Sequence, residues 1–259
     1  MKRIATILLI LVCAAAGAVR WLDVIFYTDM VTGFVTWGSY LWRYALAGGV
    51  LLLLWLAGWM IPKTSTALNG HNTAQGLLAV LCGIAFAALG GIYLANLSSL
   101  GRFELVLAVL YLVSGVWMLL LGRSRFTPEF EAPTGSALFG IAGTLSLYLL
   151  TIKRFGLAPT GIVRVNNTLE ALAALAALLF CTAQLKSAYI PGGKSARWIW
   201  LSGMWAFLLC TCLALPSAVW GWYQGQSDLC ALTEGICLAL VGLMGAVYAL
   251  TVCAGKQEE

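Results

Sequence analysis

Apolar residues in this chain come in long continuous runs separated by short polar segments, with none of the period-two alternation of a half-buried strand. The runs place helices at residues 4–19, 41–61, 75–96, 103–122, 134–152, 168–188, 197–219 and 230–253. Each is close to the roughly 20 residues that an α-helix needs to cross about 30 Å of hydrocarbon. In that medium only helices and closed barrels satisfy the backbone, and continuous runs select helices. The pattern predicts an all-α polytopic integral membrane protein of about eight transmembrane helices.

The order of elements repeats. Thr32-Gly33-Phe34-Val35, after the first helix, returns 128 residues later as Thr160-Gly161-Ile162-Val163. At an offset of 130, Glu104 falls on Glu234 and Gly115 on Gly245. Eleven residues are close to three helical turns, so the Glu and the Gly share a face in both helices. The chain reads as a 4+4 parallel tandem repeat, residues 1–128 and 129–259, within a single membrane domain. Residues 1–19, with a basic start, an apolar middle and a small-residue exit, also fit a cleavable signal peptide. The repeat favours a retained helix, because residues 4–19 match the fifth span.

Composition agrees with the pattern: 61% hydrophobic and 10% charged residues, with a mean hydropathy of +0.92. Trp200 and Trp220 stand one membrane thickness apart around the seventh helix, as do Trp37 and Trp59 around the second, the spacing of two interfacial belts. Orientation follows from Lys and Arg. With cytoplasmic termini, nine basic residues lie inside (Lys2, Arg3, Lys63, Arg123, Arg125, Lys186, Lys194, Arg197, Lys256) and six outside (Arg20, Arg43, Arg102, Lys153, Arg154, Arg164). The loop of Lys153, Arg154 and Arg164 breaks the rule locally, and pairing with outer carboxylates would explain it. Because topology alone accounts for the basic inner face, it gives no argument for nucleic acid.

Chemistry is sparse. The eight cysteines sit mostly inside helices without zinc-site spacing, and Cys210 and Cys212 point to different faces, so they read as packing residues. The single histidine, His71, lies in an Asn/Gly-rich cytoplasmic loop with no ligand motif beside it. The chain has no nucleophile elbow, phosphate loop, glycine fingerprint or His-Glu-x-x-His pair. No catalytic residue, cofactor or metal is expected. The middle third of each helix lacks ionisable groups, which argues against a proton- or sodium-coupled pump. Candidates for an outer ion-pair or ligand site are Glu234, Glu104, Arg43 and Glu170, with Arg43, Arg102, Lys153 or Arg154 as basic partners. Glu234 leads because it lies about a turn inside its helix, whereas Glu104 at a helix start is explained by the dipole. Small residues (Gly48-Gly49, Gly90-Gly91, Gly242 with Gly245, Ala171 to Ala177) predict close helix contacts, and Pro216 a bend in helix seven.

Asp29-Met30-Val31-Thr32-Gly33-Phe34, Asn167-Thr168-Leu169-Glu170-Ala171-Leu172 and Ala206 through Pro216 resemble segments of uncharacterised multi-spanning membrane proteins of anaerobic Gram-positive bacteria. That resemblance carries no catalytic residue. It implies a bacterial cytoplasmic membrane, where the sequons at Asn96 and Asn166 are irrelevant. The functional expectation is a non-enzymatic envelope scaffold, sensor or partner protein. Its surroundings would be the lipid bilayer and another membrane protein or a homo-oligomer. The alternative is a small permease or channel for a neutral or amphiphilic molecule bound between the halves.

Overall fold

A computed structural model describes residues 2–29, 32–61, 72–96, 101–127, 137–156, 163–190 and 195–254. Its helices are α1 (Lys2–Tyr27), α2 (Tyr40–Gly58), α3 (Thr73–Ala95), α4 (Arg102–Ser124), α5 (Ala137–Gly156), α6 (Val165–Tyr189), α7 (Ala196–Ala206), α8 (Leu215–Tyr223) and α9 (Leu229–Ala254). A π-helical segment, Phe207–Ala214, joins α7 to α8, so Ala196–Tyr223 forms one span. Among the described residues, eight helices are thus long and apolar enough to cross a membrane, and the chain is an all-α polytopic protein. Local signals start several of them. The Ser39 hydroxyl accepts the Leu41 N–H, Asn72 Oδ1 the Gln75 N–H and Asp228 Oδ1 the Ala231 N–H.

Successive spans run up and down. Near one end, here called proximal, Thr6 of α1 lies 3.3 Å from Cys253 of α9, Trp200 donates to Thr6, and Gln75 donates to Thr251. Arg197 donates to the Ile61 and Trp59 carbonyls that end α2. The opposite, distal end carries the last turns of α1, α3, α5 and α8 and the first turns of α2, α4, α6 and α9. The seventh span is the axis of the bundle: 78% of its most apolar stretch is buried, against 22% for α2 at the periphery. Its contact with α9 is backbone to backbone, because a Cβ at Gly203 would stand 2.6 Å from the Gly245 carbonyl oxygen.

Three expectations are corrected. The first helix does not stop at residue 19 but runs on to Tyr27, which brings Arg20 and Asp23 out of the expected outer loop and into the helix. At a spacing of three they meet on one helical face and pair there, so the polar residues continue the helix to its distal end instead of ending it. Trp200 is not an interfacial belt residue: it is buried, its indole N–H on Thr6. Trp37 and Trp59, at the two ends of α2, are exposed. The seventh span is not simply bent but changes register, the Leu215 N–H bonding to Cys210 five residues back. Pro216 lacks an N–H, and the wider π turns absorb the lost α-helical bond. Thr160 to Ile162, Lys63, His71, Lys194 and Lys256 lie outside the described residues.

Candidate functional site: a charged cavity at the distal end

Among the described residues, two buried ion clusters form at the distal end. In the first, Asp23 of α1 is gripped by two guanidinium groups. Arg43 Nε of α2 donates to its oxygens at 2.8 and 3.0 Å, Arg43 Nη2 reaches the same carboxylate, and Arg20 Nη1 donates from one turn earlier. Arg20 also donates to Asn166 of α6, and Arg43 to the Ser39 and Trp37 carbonyls. Trp42 stacks on Arg43 at 4.6 Å. All four polar residues are buried, and the adjoining void of about 10 Å³ holds at most one water. This cluster ties α1, α2 and α6 together and leaves no room for a solute.

The second cluster centres on Glu234, one turn into α9. Lys153 Nζ of α5 lies 3.1 Å from its carboxylate, Arg154 Nη2 at 3.5 Å, and Tyr93 and Tyr111 donate to it at 2.6 and 3.2 Å. Lys153 donates also to the Tyr93 hydroxyl at 2.7 Å. Arg154 continues to Glu170 of α6, at 3.5 Å from the carboxylate and 3.1 Å from the carbonyl. The result is a chain of alternating charge, Lys153, Glu234, Arg154, Glu170, drawn from α5, α6 and α9 and braced by tyrosines of α3 and α4. Lysine and arginine end α5 where its carbonyls are unsatisfied, which suits the helix dipole, while Glu234 and Glu170 each sit one turn inside their helices.

Unlike the first cluster, this one borders open space, a cavity of about 430 Å³. Lys153, Arg154, Glu170 and Glu234 form part of its wall, together with Arg164, Asn166 and Asn167 at the start of α6. Ala214, Ser217, Ala218 and Gly221 of the seventh span and Ala231, Gly235 and Leu238 of α9 provide a wall of small side chains. The mouth carries exposed Thr32 and Gln226. Thr32 belongs to a loop closed by an antiparallel bridge between Thr28 and Val35, with Gly33 at φ +71°, a conformation strained for any side chain. Phe34 of that loop lies under the Arg164 guanidinium at 5.4 Å. The Ser227 hydroxyl, also on the cavity, is buried without a hydrogen-bond partner among the described residues. Further in, α9 continues with Val241, Met244 and Tyr248, each fully buried.

The structure separates the four sequence candidates. Glu234 and Glu170 share Arg154 on the cavity wall. Arg43 belongs to the other cluster, on Asp23. Glu104 is part-exposed and makes no ion pair among the described residues. Sequence reasoning missed Asp23 and Asn166, assigned to loops, and Tyr93 and Tyr111, whose hydroxyls lie within apolar runs. The spacing of Arg20 and Asp23 on one helical face was the available signal. Among the described residues, no three His, Cys, Asp or Glu side chains gather as a metal site. The cysteines are free thiols; Cys210 donates to the Ala173 carbonyl at 3.1 Å, and Cys212 packs on Gly17 of α1. No family model matches the chain, and neither a curated protein nor a solved structure is similar to it.

Proposed function

We propose that this is a non-enzymatic membrane protein of the sensor or partner kind, which takes up a small polar solute into the distal cavity. The observation that carries the reading is the cavity itself: charges of both signs and neutral amide and hydroxyl groups converge on a space that ends against packed core. Side chains there are held by helices and by each other, so the site is formed before a ligand arrives. The excess of Lys and Arg at the proximal end supports a bacterial cytoplasmic membrane with both termini cytoplasmic and the cavity facing outward. The pairing of α3 with α4 recurs in the pairing of α7 with α9, as a 4+4 tandem repeat requires of its third and fourth spans, while α1 and α2 pack on the seventh span. A panel of polar solutes should contain members that raise the melting temperature of the purified protein but not of Ala218→Trp, which fills the cavity. A panel that stabilises both proteins equally, or neither, would overturn the reading.

A permease is the second reading, favoured by one observation: the π segment ends in the cavity wall at Ala214, where a register change would open the seventh span. Proteoliposomes that accumulate a solute found in the panel would establish it. Binding without accumulation would leave the sensor.

A further inference from the structure

The four-membered charge chain on the cavity wall is internally neutral, two cations alternating with two carboxylates. Arg164 is the remaining charged group on the cavity and makes no ion pair among the described residues. Its guanidinium is backed by the Phe34 ring, which leaves its hydrogen-bonding edge for another acceptor. No carboxylate pairs with Arg164 among the described residues, where Ser227 offers a buried hydroxyl without a partner and Asn167 an amide. The small residues Ala218, Ala231 and Gly235 leave room for a carbon skeleton.

From this we infer that the ligand is a small organic monocarboxylate carrying hydroxyl or amide groups, its carboxylate held by Arg164. The inference rests on the solute-binding reading above and adds the charge and class of the solute. One cation in excess matches one negative charge, and a planar guanidinium pairs bidentately with a carboxylate. Inorganic phosphate fits less well, because it brings more charge and nothing to occupy the small-residue wall.

The charge preference of the cavity can be measured directly with small thiol reagents. A thiol is introduced by Ser227→Cys into the full chain in nanodiscs, with the part-exposed Cys230 and Cys253 changed to Ser. Its modification by anionic methanethiosulfonate ethylsulfonate and by the cationic ethyltrimethylammonium reagent is timed, each rate normalised to that with free mercaptoethanol. The expected preference is roughly tenfold for the anion, the order of electrostatic focusing in a charged cleft. It should vanish in Arg164→Gln and persist in Arg164→Lys. D-gluconate should slow labelling, and D-glucitol, its neutral counterpart, should not. Labelling without charge preference, a preference unchanged in Arg164→Gln, equal protection by glucitol, or protection by phosphate alone would each overturn the inference and leave solute binding standing. If neither reagent reached this thiol while one introduced by Tyr223→Cys, at a residue 72% exposed, reacted freely, the solute-binding reading would fall with it.

Discussion

The two ion clusters at the distal end are built from the same kinds of residues and differ in what surrounds them. Asp23 with Arg20 and Arg43 is sealed among α1, α2 and α6, one carboxylate paired with two guanidinium groups. Glu234 with Lys153 and Arg154 is equally buried at the carboxylate, but its partners line a cavity and Glu170 balances the second cation. Burial alone therefore does not mark the functional cluster. Sealed charges can only hold helices together, whereas charges bordering open space remain available to a solute.

The comparison makes Asp23→Asn the most damaging carboxylate change. It strands two buried guanidinium charges that have no water to turn to, a loss of about 3–5 kcal/mol, to be measured by denaturation of the purified protein in detergent. Glu234→Gln should cost less, roughly 1.5–3 kcal/mol, the worth of hydrogen bonds to a charged group. Lys153 and Arg154 then rehydrate from the cavity, and Arg154 keeps Glu170. Equal losses for the two variants would break the distinction between a sealed and an open cluster. Glu170→Gln removes a carboxylate that is one-third exposed, and the same assay should register no more than about 1 kcal/mol. Its effect should instead show as altered solute stabilisation, since the charge chain on the wall loses its last member. Glu104→Gln, away from both clusters, should stay within about 0.5 kcal/mol and leave any solute response unchanged. A larger effect there would mean that a helix-start carboxylate does more than offset its dipole.

How far the site could be read from the chain follows from the same residues. Glu234 was legible because a carboxylate one turn inside an apolar run requires partners, and the basic end of α5 was the available supply. Asp23 was not, because polar residues after an apolar run look like its end. Their burial depends on α2 and α6 arriving beside α1. Tyr93 and Tyr111 sit in runs where tyrosine fits either a lipid interface or a buried hydrogen bond, and nothing local distinguishes the two. Trp200 shows the same ambiguity: its spacing from Trp220 matches a membrane thickness, yet α1 covers it and Thr6 takes its N–H.

What the sequence determined by itself is the set of spans and their alternation. Membrane insertion depends on the summed apolarity of about 20 neighbouring residues, a local property independent of how the helices later pack. Local too are the caps at Ser39, Asn72 and Asp228, because each side chain reaches only its own helix start. The tertiary structure alone decided which charges meet. Arg43, Glu170 and Glu234 look alike along the chain, each near a helix end, but the first faces Asp23 in a sealed seam and the others share Arg154 on a cavity wall. That division is set by which helices pack side by side, and packing between apolar helices in lipid depends on the shape of small residues such as Gly203 and Gly245. Shape of this kind belongs to the assembled bundle, where the two backbones touch.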